Sequence, residues 1–293
     1  MNWEFLRSDE MAEAIEKSGG LCVLPLGCSE KHGPHMPVGT DGLQGKFTCE
    51  MAAELEYAVV FPTGFWLGDM VAVHGKGEKS TNKGAISLNP HTLLTVLEEL
   101  CDEIARNGFR KILIVNAHGG NKPLLNFFLR AQGYKNKNYA TMVTFICDKV
   151  SHKAQEAYPY FLEHRAEYPM LTDQDLEVLK DYASRPDGFG GGHADFSECS
   201  WMMGQYPHLI AEDRYDLESG RSTKRGQYLT DLGVTCFGGY NAKFPNAFDG
   251  YAPHGCSQTI GQAMNLYNAR RLAHIFKVLK EDEECVKIAT GQK

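Results

Sequence analysis

The sequence holds no apolar run long enough to span a bilayer, which excludes a membrane-spanning helix. Its first twenty residues, MNWEFLRSDEMAEAIEKSGG, lack an apolar core behind a basic start. No secretory leader is therefore expected, and the protein is read as cytoplasmic. Basic charge is in deficit: 30 Lys and Arg stand against 37 Asp and Glu, a net of −7. No whole-chain field is available to hold nucleic acid. None of the nine cysteines forms a C-x-x-C pair, and they are scattered and odd in number. Neither a zinc ribbon nor a disulfide framework is indicated. Cys22, Cys101 and Cys147 sit in apolar runs and read as small buried residues. There is no internal repeat, low-complexity tract or P-loop pattern.

What is present is an alternation of strand and helix signals along 293 residues, enough for a large core. LCVLPLG (21–27), YAVVFPT (57–63), KILIVNA (111–117) and YATMVTFI (139–146) read as strands. Between them, TDGLQGKFTCEMAAELE (40–56) carries Leu43, Phe47, Met51 and Leu55 at four-residue spacing, with Thr40 or Asp41 as its cap. HTLLTVLEELCDEIARNG (91–108) places Leu93, Leu97, Leu100 and Ile104 on one face and ends at Gly108. Residues 121–134 read as a further helix and 258–284 as a long terminal one. Residues 151–172 and 205–258, rich in Tyr, Pro, Gly and charge, read as long loops with short elements. The aromatic stretch 156–169 is expected to line a pocket or an oligomer interface. The fold class is α/β: a single domain, residues 1–293, with a mostly parallel central sheet flanked by helices.

Ligands of such sheets gather beyond the carboxyl ends of the strands. Two polar, Gly-rich stretches lie there. CSEKHGPHMPVGTD (28–41) follows the first strand. In extended backbone Glu30 and His32 project to one side, roughly 7 Å apart at Cα. The prolines and glycines after them can bend the chain so that Asp41 returns to the pair. Each residue alone has a blander role, as a solvated carboxylate, a loop histidine or a helix cap. Together at a sheet edge they favour a metal. NAHGGN (116–121) adds His118, with Asn116 and Asn121 to orient the loop. A third stretch, DGFGGGHADFSECSWMMG (187–204), runs from a Gly-rich loop into a helix expected to carry His193 and Glu198. The loop amides would cradle an anion at the helix start, and the two side chains suit an acid/base residue and a ligand.

These stretches resemble the motifs of the creatininase family of metal-dependent amidohydrolases. PLGCSEKHGPHMPVGTD is similar to PLG-x-x-EQHG-P-HLP-x-x-TD, NAHGGN to NGHGGN, and HADFSECS to HA-x-x-x-ETS; KGAISL (83–88) is similar to PGTISL. The resemblance implies a parallel-sheet fold, assembly as a homo-oligomer, often a hexamer, and a site for two divalent metals. Asp41 would bridge the ions, Glu30 and His118 would complete one side, and His32 the other. Creatininase binds metal through a Glu where Gly120 stands here, so Glu198 is the candidate for that place. His193 matches a catalytic histidine, with Glu198 beside it, and His35 is assigned a supporting role. Phe189 stands where creatininase carries a substrate-packing Trp. The changes at 120 and 189 argue against creatinine itself as substrate.

Mixed Glu, Asp and His ligation suits Zn²⁺, Mn²⁺ or Fe²⁺. The expected reaction is attack of a metal-bound hydroxide on a small-molecule amide, breaking a non-peptide C–N bond in a cyclic amide or formamide. His193 would pass a proton to the leaving nitrogen. The alternatives are a peptidase acting on a cofactor-precursor peptide, a cysteine amidase using Cys199 or Cys28, and a non-catalytic scaffold.

Overall fold

The computed structural model describes residues 1–62, 83–185, 192–235 and 238–291. In chain order the elements are α1 (Met11–Lys17), β1 (Leu21–Leu26), α2 (Thr40–Leu55), β2 (Val59–Val60), α3 (Pro90–Arg106) and β3 (Lys111–Asn116). They continue with α4 (Lys122–Gln132), β4 (Ala140–Phe145), α5 (Lys149–His152), α6 (Ala154–Glu163) and α7 (Asp173–Ser184). The last are α8 (Phe196–Gln205), α9 (Gln227–Asp231), α10 (Gly239–Lys243), α11 (Gln258–Glu281) and α12 (Glu284–Thr290).

The four strands pair in the order β2-β1-β3-β4, all parallel. Successive residues of β1 and β3 serve opposite cores. Leu21, Val23, Leu113 and Val115 pack with residues of α2, α6, α7, α8 and α11. Cys22, Leu24, Leu26, Ile112 and Ile114 pack with residues of α1, α3 and α4. Burial on both faces is why these strands read as unbroken apolar runs rather than alternating ones. From β1 the chain reaches β2 on one side and then returns to β3 on the other. The carboxyl ends of β1 and β3 therefore flank a switch point in strand order, where open α/β sheets bind ligands.

Three sequence expectations are corrected. The buried face of α2 is Asp41, Gly42, Gln44, Gly45, Thr48, Cys49, Ala52 and Ala53, whereas Leu55 is exposed. Small residues face inward because backbones come close: a Cβ on Gly45 would meet the Ala117 methyl at 3.3 Å. Residues 154–163 are helical, not loop, despite Pro159 inside α6. Ala157, Phe161 and Tyr168 are buried in the core, and that burial outweighs the one hydrogen bond the proline forfeits. Within the aromatic stretch, Ala157, Phe161 and Tyr168 thus belong to the interior, whereas Leu162 is exposed. Finally, α3 is capped by Asn107, with Gly108 (φ +114) as the residue that turns the chain away.

α8 and α11 cross at a contact only glycine permits. A Cβ on Gly261 would lie 1.9 Å from the Ser200 carbonyl oxygen, and one on Gly204 would lie 2.4 Å from the Gly261 carbonyl carbon. Gly261→Ala is expected to destabilise the fold by about 3 kcal/mol or more, since neither backbone can retreat. Urea unfolding of the variant checks this.

Candidate metal centre

β1 ends at Leu26, and the next residue must be small. A Cβ on Gly27 would meet Gly42 N at 2.5 Å and Asp41 C at 2.7 Å. The loop after it folds back on itself: Glu30 N–H donates to the Val38 carbonyl (2.9 Å), and His32 bridges Met36. Gly33 takes φ +57, and a Cβ there would press on the His35 ring at 2.9 Å. The bend delivers Asp41, in the first turn of α2, back to Glu30 and His32. Neither Thr40 nor Asp41 caps the helix; the cap is Gly39. Asp41 turns its oxygens to the histidines instead. Oδ1 lies 3.1 Å from His32 Nε2, and Oδ2 lies 3.0 Å from His118 Nδ1.

β3 delivers His118 through two asparagines. Asn116 Nδ2 donates to the His118 carbonyl (2.6 Å), and Asn116 Oδ1 accepts from His118 N–H (3.3 Å) and from Asn121 Nδ2 (3.0 Å). His118 Nδ1 is thereby held 2.9 Å from Glu30 Oε1. Residues 84–86 brace the first loop, with Ile86 N–H donating to the Ser29 carbonyl.

The third stretch departs from expectation. His193 is not on a helix with Glu198; it precedes α8 and pairs through its backbone with Asp249. The two side chains converge because the chain turns at Ala194, a non-glycine residue at φ +57. The amides at the start of α8 are already taken. Asp195 Oδ1 accepts from Ser197 and Glu198 N–H, and Glu198 Oε2 accepts from Ala194 N–H at 2.7 Å. Of the Gly-rich loop amides expected to cradle an anion, only Gly192 is described, and its N–H donates to Asp195 Oδ2 at 3.3 Å. The rest of the Gly-rich loop, with Phe189, lies outside the described residues. Glu198 Oε2 stands 3.6 Å from His32 Nε2. His193 Nδ1 stands 3.6 Å from Glu30 Oε1 and 3.9 Å from Glu198 Oε2.

Hydrogen bonds to carbonyls fix the ring orientations, since a carbonyl only accepts. His32 Nδ1–H donates to the Glu30 carbonyl (3.1 Å), which leaves Nε2 toward Asp41 and Glu198. His193 Nε2–H donates to the Lys31 carbonyl (2.7 Å), which leaves Nδ1 toward the carboxylates. His35 donates Nε2–H to the Ala194 carbonyl (3.0 Å) and packs on Tyr215 and Phe248. Burial drops its pKa to about 4. It supports the loop and joins neither ligand group.

Two donor groups share Asp41. One is Glu30, Asp41 and His118, with Cys28 beside them; the other is His32, Asp41 and Glu198. Their ligand atoms all lie within 4.8 Å of one another in each group, and all these residues are buried. Burial opposes charge on Asp41, but His32 and His118 outweigh it and hold its carboxyl far below the usual range. Burial likewise opposes charge on Glu30, where His193 and His118 prevail and lower it. Burial raises Glu198. Burial also resists protonation of His32, yet Asp41, Glu198 and Glu30 lift its pKa to about 10. The nearby ammonium of Lys31 is engaged by Glu218 at 2.6 Å. In the metal-free protein, imidazolium protons therefore balance these carboxylates. Oxygen and imidazole donors aimed at a common buried point fit a divalent transition metal that would replace those protons.

Cys28, one of the two nucleophiles of the cysteine-amidase alternative, lies beside the centre. Its thiol donates to Asp41 Oδ2 (3.0 Å), and burial with Asp41 and Glu30 pushes its pKa far up. Burial pushes Cys199 well up too. Neither thiol rests as the ready thiolate that a cysteine amidase needs to attack an amide. Two residues near His193 carried no motif signal at all. Tyr240 presents its ring edge-on to His193 at 6.3 Å. Burial, Asp195 and His193 together set the Asp249 carboxyl, with pKa raised to about 6, burial and Asp195 acting upward and His193 downward.

A family model described as creatininase, creatinine amidohydrolase, matches residues 4–275. The chain belongs to the creatininase family. Membership places it among hydrolases of amide bonds. It is 27% identical over 209 residues to a creatinine amidohydrolase of Pseudomonas putida, covering 67% of this chain and 69% of that protein. It is 32% identical over 117 residues to a mycofactocin precursor peptide peptidase of Mycobacterium tuberculosis, covering 38% of this chain and 46% of the peptidase. Its fold matches a zinc form of a creatininase variant, with TM-score 0.68 and 20% identity over 96% of this chain and 98% of the other. It also matches a manganese form of creatininase, with TM-score 0.63 and 20% identity over 96% and 99%. Among the described residues no helix is long and apolar enough to cross a membrane.

The metal-free form of this creatininase-family chain has a defined pH signature. The folded pKa of His32, about 10, exceeds the ordinary value of 6.5. Its stabilisation is complete below about pH 6.5 and is lost as pH rises toward 10. Asp41 and Glu30 are depressed, so theirs is present above about pH 4 and lost as pH falls. Urea unfolding of chelator-stripped protein is expected to show lower stability at about pH 9.5 than at about pH 6. Equal stability at the two values would contradict the imidazolium arrangement.

Proposed function

We propose that this creatininase-family protein is a metal-dependent amidohydrolase that cleaves a non-peptide C–N bond in a small cyclic amide or formamide. The carrying observation is the division of Asp41, with one oxygen toward His32 and the other toward His118. Glu30, Asp41 and His118 would hold one divalent ion, and His32, Asp41 and Glu198 a second. Zinc, manganese and iron all suit these donors. When bound, such ions supply Lewis acidity and a nucleophile available at neutral pH.

The chain's own part is positioning and proton transfer. His193, with Nε2–H fixed on Lys31 and Nδ1 open toward the centre, carries a proton to the departing nitrogen. The Lys31 carbonyl keeps the ring in the tautomer this needs. Glu198, raised by burial and beside His193, assists that transfer as well as holding metal. Residues 1–293 act as one catalytic unit, in the cytoplasm and as a homo-oligomer, with the hexamer as the family's precedent. The negative net charge supports a partner list without nucleic acid or membrane.

A peptidase acting on a cofactor-precursor peptide is the second reading, favoured by the 32% identity to a protein of that name. The longer match to creatinine amidohydrolase, 209 residues against 117, favours the first. Elemental analysis should find about two divalent transition ions per chain. Chelation should abolish turnover on a panel of lactams, formamides and creatinine, and metal should restore it. Turnover of a precursor peptide alone would move the assignment to the second reading. Absence of metal together with chelator-insensitive turnover would sink both.

A further inference from the structure

Outside the metal centre, one cluster of reactive side chains is built like a site. Cys199 and Cys256 bring their sulfurs to 3.5 Å, although 57 positions separate them in sequence. The Tyr215 hydroxyl touches both, at 3.1 Å from Cys256 Sγ and 3.5 Å from Cys199 Sγ. Tyr215 and Cys199 are buried, and Cys256 is half-buried and so open to a small reagent. The three are held from different directions. Cys199 lies on α8, which is locked against α11 through the Gly204–Gly261 contact. Cys256 sits one residue before Ser257, the N-cap of α11, and one after Gly255, which takes φ +82. A disulfide needs sulfurs about 2.05 Å apart. The remaining approach falls on the Gly255–Cys256 turn, because the helix pair cannot yield.

We propose that Cys199 and Cys256 form an oxidisable thiol pair that a hydroperoxide converts to a disulfide. With hydrogen peroxide, Cys256 sulfur attacks one oxygen, an S–O bond forms as the O–O bond breaks, and the departing hydroxide takes the Cys256 proton and leaves as water. Cys199 sulfur then attacks the sulfenic acid; the S–S bond forms, the S–O bond breaks, and the Cys199 proton departs with the hydroxide as a second water. Two thiols are oxidised and one hydroperoxide is reduced. The order of events follows from exposure, since the peroxide meets Cys256 first and the buried Cys199 resolves it from within. Hydrogen bonds from Cys199 and Tyr215 hold the Cys256 thiol below its ordinary pKa against the effect of burial. The thiolate is the attacking species, and Cys256 is the partly exposed member of the pair, with Tyr215 Oη and Cys199 Sγ both in hydrogen-bond contact with its sulfur. The sulfur–sulfur geometry does not use the metal ligands, although Cys199 directly follows Glu198 on α8.

Hydrogen peroxide added to zinc-loaded protein, followed by alkylation and peptide mapping, tests the pair. The expected main product is a peptide pair linked between Cys199 and Cys256, released by dithiothreitol. Cys256→Ser should lose the link without gaining another, and Tyr215→Phe should slow its formation by about tenfold. Sulfinic or sulfonic acid at Cys256 without a link would overturn the proposal. So would linkage that favours Cys147 or Cys285, or both thiols remaining alkylatable once other cysteines have oxidised. The wild-type map decides even if a variant fails to fold.

Discussion

Asp41→Asn is expected to strip the protein of metal and to lower kcat/KM by more than about a thousandfold. Losing a partner that merely orients a ligand costs roughly 10–100-fold in metal affinity or activity, and Asp41 is placed to do more. Its two oxygens serve different histidines, 3.1 Å from His32 Nε2 and 3.0 Å from His118 Nδ1. An amide keeps one oxygen but loses the charge, and it presents an NH₂ where the other group needs an acceptor. Both ions should leave, not one. The side chain is fully enclosed, so water cannot substitute for the lost charge. Elemental analysis should find little residual metal. Full loading with both ions and near-normal turnover would show that Asp41 is only the buried counter-charge of His32 and His118.

His193→Gln should behave oppositely with respect to metal. Both ions should remain, KM should change little, and kcat should fall by about 10²–10⁴-fold, the range of a lost general acid or base. The reason is geometric. His193 donates to the Lys31 carbonyl and directs Nδ1 toward Glu30 and Glu198 from 3.6 and 3.9 Å. Those separations are longer than the 2.9–3.1 Å of the closest contacts made by His32 and His118. Glutamine preserves a donor to Lys31 but cannot cycle a proton near neutral pH. Metal loss in this variant, measured at unchanged fold, would make His193 a ligand instead.

Much of this site was legible as sequence because its first half is local. Glu30, His32 and Asp41 lie within one stretch, and the prolines and glycines between them announce a bend. His118 follows a strand of unmistakable hydrophobicity, and Asn116 and Asn121 lock its loop as residue type alone implied. Glu198 could be nominated from residue type and family pattern, but its approach to His32 could not be derived. It depends on the left-handed turn at Ala194 and on the Asp195 cap, neither of which spacing reveals. The expected shared helix for His193 and Glu198 failed for that reason. Asp249 and Tyr240 reach the neighbourhood of His193 from the irregular second half, where no periodicity guides a reading.

The sequence by itself determined the parallel sheet, since strands buried on both faces must be apolar throughout. It also displayed the donor types, because few loops concentrate carboxylates and imidazoles as residues 28–41 do. Only the tertiary structure decided which faces are buried where backbones touch. α2 turns Gly42, Gly45, Ala52 and Ala53 inward, keeps Leu43 and Met51 of its hydrophobic stripe only partly buried and leaves Leu55 exposed. Small residues carry almost no hydropathic signal, yet close packing selects them. The tertiary structure likewise decided that Asp41 divides between two histidines and that Cys199 meets Cys256. Such pairings depend on distances of a few ångströms between segments far apart in the chain, set by how the helices seat on the sheet.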